Sequence, residues 1–173
     1  ADVGLRRSGF VTVETGPASE NPFFSRGPLR PNGAHLEYAD GTPFFWLGDT
    51  AWAGPMRSTV EEWTEYLAAR KRNGFTVVQS GIGCPWAGGT TRAGDPPFTD
   101  AGNNLTKLNP AFFQSFTDRI SRAAEAGFAV LVVGLMEPSY RYPTPTEAKR
   151  FATHLTARLA HISSVMFSPS FDS

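Results

Sequence analysis

The chain holds one cysteine, Cys84, so no intramolecular disulfide framework and no multi-cysteine metal site can form within it. A lone thiol with no histidine nearby in sequence reads as a small buried hydrophobe rather than a nucleophile. No apolar run approaches the roughly 18–20 residues that a membrane-crossing helix needs. Charge of one sign is missing as well. Sixteen Lys and Arg balance sixteen Asp and Glu, so nothing electrostatic favours nucleic acid or an anionic membrane as partner. The three histidines, His35, His154 and His161, lie away from the expected strand ends, and no metal site is expected. A Gly-rich phosphate loop is absent too: Gly48-Asp49-Thr50-Ala51-Trp52 matches neither GxGxxG nor GxxxxGK[ST], so no nucleotide or other cofactor is expected.

What is present is aromatic. Phe, Tyr and Trp make up 13% of the chain against 18% charged residues, the opposite of a disordered composition. At 173 residues this suits one folded domain with a real core. No signal peptide is visible, and a first residue of Ala suits a processed chain or a chosen boundary. With the sequon Asn104-Leu105-Thr106, this gives a weak expectation of a secreted or extracellular protein.

Residues 1–42 read as an N-terminal arm with short strands and a hairpin, and residues 43–173 as the main domain. The hairpin signal is Asp40-Gly41 between Leu36-Glu37-Tyr38 and Pro43-Phe44-Phe45-Trp46. Four β-rich runs follow: Phe44 to Leu47, Phe75 to Gln79, Phe128 to Val133, and Val165 to Phe167. Three helical patterns separate them. The first opens on a Thr59/Glu62 capping box and ends at Gly74, with Val60, Trp63 and Leu67 on one face. The second opens on Asn109-Pro110 and stops at Gly127, with Phe112, Phe113, Phe116, Ile120 and Ala124 as its stripe. The third runs from about Pro145 to His161, with Phe151, Ala152, Leu155 and Leu159 inward. Apolar strands alternating with helices imply a parallel sheet buried by crossovers. Two architectures fit: a doubly wound open sheet, or half of a (β/α)8 TIM barrel.

In either architecture the C-terminal ends of parallel strands feed the binding crevice. The first run delivers Asp49 and Trp52, and the second delivers Gln79 and a loop of nearly thirty residues carrying Trp86. The third delivers Glu137, with Tyr140 and Tyr142 beyond it, and the fourth delivers Asp172. Carboxylates beside aromatic rings suit a sugar, because rings stack on its C–H faces while carboxylates bind hydroxyls or move protons. Plainer readings stand beside these. Asp49 would accept backbone N–H bonds from the turn that follows it, Trp52 and Trp86 would pack loops, and Glu137 would be solvated.

The run from Leu36 to Trp52, with Asp40-Gly41-Thr42-Pro43-Phe44-Phe45-Trp46-Leu47-Gly48-Asp49-Thr50-Ala51-Trp52 at its centre, resembles the first-strand signature of the apiosidase-like (DUF4038) glycoside hydrolase family. Asn73-Gly74-Phe75-Thr76-Val77-Val78-Gln79 is similar to its second-strand segment. Pro96-Pro97-Phe98-Thr99-Asp100, then Asn109-Pro110-Ala111-Phe112-Phe113, resemble the following loop and helix, and Ala123-Ala124-Glu125-Ala126-Gly127-Phe128 its entry to strand three. The resemblance implies the first half of a glycosidase barrel, about four βα units, acting on plant or microbial polysaccharides, apiose-containing side chains among them. It implies Asp172 as general acid/base after strand four, with Ser170-Phe171 where relatives carry two glycines. Asp49, Trp52, Gln79, Trp86, Glu137 and Tyr140 would then bind the sugar. The second carboxylate follows strand seven in relatives and lies outside these residues, so this segment alone is expected to be inactive. A second polypeptide or C-terminal remainder would complete the barrel. The alternatives are a non-catalytic carbohydrate-binding or scaffold barrel, and an unrelated open-sheet enzyme.

Overall fold

The computed structural model describes residues 19–82, 89–99, 107–134 and 144–168. It opens on a short helix, α1 (Pro22–Ser25), capped by the Asn21 side chain, which accepts from the Phe23 N–H. Sequence patterning had not signalled this turn. Three short strands follow, β1 (Leu29–Asn32), β2 (His35–Tyr38) and β3 (Pro43–Phe44), paired antiparallel in that order. The expected hairpin is present, with Leu36 opposite Phe44 and Glu37 opposite Pro43. Gly41 sits in its turn at φ 89°, a backbone that only glycine adopts without strain.

The first main-sheet strand differs from its expectation. The apolar run Phe44 to Leu47 is not that strand. Phe44 belongs to β3, and the parallel sheet begins with β4 (Gly48–Trp52), a smaller and more polar stretch. Pairing decides this, not hydropathy. Leu47 O accepts from both Thr76 N and Val77 N and sets the register of the strand that follows it. The chain then runs through α2 (Gly54–Arg57), α3 (Val60–Arg72), β5 (Val77–Gly81), α4 (Pro110–Glu125), β6 (Ala129–Val133), α5 (Pro145–Leu159) and β7 (Val165–Ser168).

Helices α3 and α4 start on the signals read from sequence, and α5 starts at Pro145, as placed, on a cap that the sequence reading did not name. Thr59 and Glu62 close a full capping box on α3, and Thr144 and Glu147 close another on α5. Asn109 caps α4, with Pro110 at its first position. The stripe of α4 is buried as expected, from Phe112 to Ala124. On α5 the expectation fails at Ala152, which is exposed, while Phe151, Leu155 and Leu159 are buried. A one-methyl side chain at the stripe's margin has too little apolar area to draw the helix round.

The parallel sheet runs β4-β5-β6-β7, in chain order. A doubly wound sheet reverses its order at a switch point and carries helices on both faces. Here α3, α4 and α5 share one core with Val78, Val130 and Val132, so all three cover the same face. The opposite face carries Val77, Ala129, Leu131 and Met166. At its N-terminal end Val77 and Ala129 pack on Phe23, Tyr38 and Phe44, so the small antiparallel sheet closes that end like a plug. Four parallel strands in sequential order, helices outside and a plug below are half of a barrel wall.

Candidate active site

Strand alternation sorts the side chains of the C-terminal half of the sheet. Thr50, Gln79, Leu131 and Met166 align across β4, β5, β6 and β7 as one row on the concave face. Thr50 is exposed and the other three are half-buried. No hydrogen bond engages the Gln79 amide among the described residues, so its donors and acceptor face the space above the sheet. Of the residues expected from sequence, Gln79 is the one the structure sets in this row. Thr50 joins it, although sequence reading passed it over. Its signal was the register with Gln79, which no single strand shows.

Asp49 faces the other way. The alternation that turns Thr50 to the concave face turns the Asp49 carboxylate to α3. There it accepts from the Tyr66 hydroxyl at 2.7 Å and pairs with the Arg70 guanidinium. The guanidinium lies over the rings of Tyr66, 4.8 Å from its centroid, and Phe75, 5.5 Å away. Burial works to raise the Asp49 pKa, but the bonds from Tyr66 and Arg70 outweigh it and hold the carboxyl below its ordinary value. Tyr66 is pushed up to about 12 by burial and by donating to Asp49. The structure thus commits this carboxylate to a bond between strand and helix, the role that its neighbours on α3 supply. The plainer expectation, a backbone N–H from the residues that follow, has its counterpart in a bond from the Thr50 N–H, and Tyr66 and Arg70 add to it.

Between Thr50 and Trp52 the β4 register shifts, which makes Ala51 the extra residue of a bulge. Trp52 takes φ 26°, an uncommon backbone for a bulky side chain. The fully buried Ser80 hydroxyl donates to Trp52 O at 2.9 Å and holds the bend where the chain turns out to α2. Trp52 itself is half-buried and packs against the main core. Beside it, the returning loop segment 89–99 is fastened down: Arg92 N donates to Met56 O, Arg57 reaches Thr91 O, and Phe98 is buried to 1% exposure. Arg92 and Arg119 line a cleft at the start of α3, and each is paired with a carboxylate, Arg92 with Glu62 and Arg119 with Asp118.

Asp172, Trp86, Glu137 and Tyr140 lie outside the described residues, as do Cys84 and Tyr142. Among the described residues no three His, Cys, Asp or Glu side chains are grouped to hold a metal ion. No described helix is long and apolar enough to cross a membrane.

This arrangement has counterparts among solved structures. A glycoside hydrolase superposes with a TM-score of 0.73 at 26% identity, covering 86% of this chain and 35% of its own. A glycoside hydrolase family 5 protein from Bacteroides vulgatus ATCC 8482 gives 0.72 at 24% identity, over 92% of this chain and 36% of its own. The endo-1,4-beta-mannanase of Rhizomucor miehei shares the fold at 13% identity and a TM-score of 0.57, over 84% of this chain and 48% of its own. The chain therefore spans about a third of the length of the first two. No curated protein matches it. The half-barrel wall is that of the (β/α)8 glycoside hydrolases, and the sequence agrees: residues 30–173 match the apiosidase-like catalytic domain, the family to which this chain belongs.

Proposed function

We propose that the complete protein is a glycoside hydrolase acting on plant or microbial polysaccharide. The observation that carries this reading is the family match, extending over residues 30–173 and so over all four strands of the half barrel. The concave row supports it. Gln79 and Thr50 offer an amide and a hydroxyl, the groups that hold sugar hydroxyls, beside the apolar Leu131 and Met166.

In this reading Asp172, four residues beyond the end of β7, is the general acid that protonates the leaving glycosidic oxygen. Its partner carboxylate comes from the remainder of the barrel. The two would stand about 5–5.5 Å apart for retention, or about 6.5–9.5 Å apart for inversion. Gln79 and Thr50 orient the sugar, and Trp52, Trp86, Glu137 and Tyr140 contribute to its binding. Asp49 acts at one remove, by fixing β4 to α3. No cofactor takes part in this chemistry. A polymeric substrate places the enzyme outside the cell.

The test is hydrolysis by the complete protein of plant cell-wall oligosaccharides, apiose-bearing pectic fragments included, followed as reducing-sugar release. Turnover that Asp172→Asn lowers by about 10³-fold or more, with binding retained, is the expected result. Binding without turnover in the unaltered protein would favour a carbohydrate-binding barrel, a reading that Ser170-Phe171 before Asp172 motivates. Neither binding nor turnover would sink the proposal.

A further inference from the structure

The helix-facing side of β5 carries Val78 and, just past the strand's end, Ile82, both fully buried in the main core. Ser80 stands between them and is equally buried. A hydroxyl sealed into such a face has to be bonded, and this one donates across to Trp52 O on β4 at 2.9 Å. Alternation along β5 sets the Ser80 side chain on the side away from Gln79. It therefore cannot touch anything bound on the concave face.

The bond lies at the step where the two strands lose register. Gly48, Asp49 and Thr50 stand opposite Val77, Val78 and Gln79, one residue against one. The next pair is Trp52 with Ser80, and Ala51 is left over. Thr50 and Gln79 are thus the last pair before the bulge. Trp52 takes φ 26°, and among the described residues no other non-glycine sits at positive φ. A bulky residue held there stores backbone strain, which persists only where the surroundings enforce it. The Ser80 hydroxyl supplies part of that enforcement by fixing the Trp52 carbonyl to β5.

Where the extra residue falls decides which way Thr50 points. With the bulge at Ala51, Thr50 keeps the pleat of the ladder and shares the concave row with Gln79. With the extra residue one position earlier, Thr50 itself would be left over, and its hydroxyl would leave the row.

We propose that Ser80 is a positioning residue for the sugar site: its bond to Trp52 O locks the β4 bulge at Ala51 and so keeps the Thr50 hydroxyl in register with the Gln79 amide. The proposal rests on the reading of that row as the place where substrate is held. Ser80 acts from behind the sheet and takes no part in the chemistry.

Two measurements on the complete protein test it. In hydrogen exchange, Ser80→Ala should speed the amides of residues 50–53 about tenfold relative to those of α4. In kinetics on apiose-bearing pectic oligosaccharide, Ser80→Ala should lower kcat/KM about tenfold. In a Thr50→Ala background the same change should cost less than about twofold, because the hydroxyl it positions is already gone. Val78→Ala, one pair back on the same buried face, destabilises β5 without touching this bond and should leave kcat/KM within about twofold. Unchanged exchange at residues 50–53 overturns the lock. An equal tenfold loss in both backgrounds overturns the positioning role and leaves Ser80 a residue of stability alone. Absence of turnover in the unaltered protein rejects the activity reading and not the lock, which the exchange measurement decides by itself.

Discussion

At the scale of single residues, the most informative group is Asp49. In the sequence it is a carboxylate at a strand end beside two tryptophans, and in the structure it is the acceptor of a bond between β4 and α3. Its pKa lies below the ordinary 3.8, so the stability it confers is present above that value and is lost as pH falls through the lower folded value. Asp49→Asn should cost about 1–2 kcal/mol at neutral pH, a modest figure because Arg70 is 35% exposed and partly screened. It should also flatten the acid limb of a denaturant-midpoint profile below about pH 4. An unchanged acid limb in Asp49→Asn would refute the assignment. Tyr66 titrates the other way. Its folded pKa of about 12 exceeds the unfolded value of 10.0, so its contribution is complete below pH 10 and disappears as pH rises to about 12. Tyr66→Phe should remove that alkaline component.

His154 provides a second residue-scale prediction. Its ring sits edge-on to Phe113 at 5.2 Å, and its buried Nε2 has no partner. Burial, with Arg158 one turn away, lowers its pKa beneath 6.5. The unfolded chain therefore takes up this proton first as pH falls below 6.5, and stability declines from there down to the folded value. His154→Phe should abolish that step in thermal melts taken between about pH 7 and pH 5. Melts of the two proteins that keep the same pH dependence would count against it.

At the scale of elements, the helices were readable and the first strand was not. Caps and stripes are local: Thr59 and Glu62, or Asn109 and Pro110, act within one turn, so adjacent residues are enough to place them. Thr144→Ala should accordingly cost about 1 kcal/mol by urea denaturation, through α5 alone. Phe116→Ala, in the centre of α4 and fully buried, should cost about 3–5 kcal/mol and leave a cavity between helix and sheet. A strand, by contrast, is defined by what it pairs with. The apolar run at Phe44 to Leu47 looked more like a barrel strand than Gly48 to Trp52 does. Yet Phe44 pairs back on β2, and Leu47 O receives the amides that begin the parallel ladder. The bulge at Ala51 and the reversed directions of Asp49 and Thr50 follow from that pairing, and no property of either residue foretells them.

At the scale of the whole molecule, the parallel sheet of the described residues ends at β4 on one side and β7 on the other. Phe45 and Trp46, just before β4, and Phe167 on β7 are exposed. Open parallel edges flanked by apolar rings recruit other chains. The 173-residue chain should therefore associate as its concentration rises in sedimentation velocity, and Phe167→Lys should shift it towards monomer. A single sharp monomer peak at all concentrations would contradict this. On the concave face Leu131 and Met166 stay half-buried beside the proposed sugar site.

The sequence by itself determined the class of this protein. The alternation of apolar strands with well-capped helices, the hairpin at Asp40-Gly41 and the long signature around Gly48-Asp49-Thr50 are local patterns, and they led to a glycosidase half barrel that the fold and the family match bear out. Tertiary structure alone decided which way the functional candidates face. It set Gln79 in a row with Thr50, committed Asp49 to Tyr66 and Arg70, and fastened α1 to the end of α4. The physical reason is common to all three. Side-chain direction depends on strand register and helix docking, which join residues far apart in the chain, 103 positions in the case of the bond from Asn21 to Ala124. Such contacts leave no mark on the neighbouring sequence of either partner.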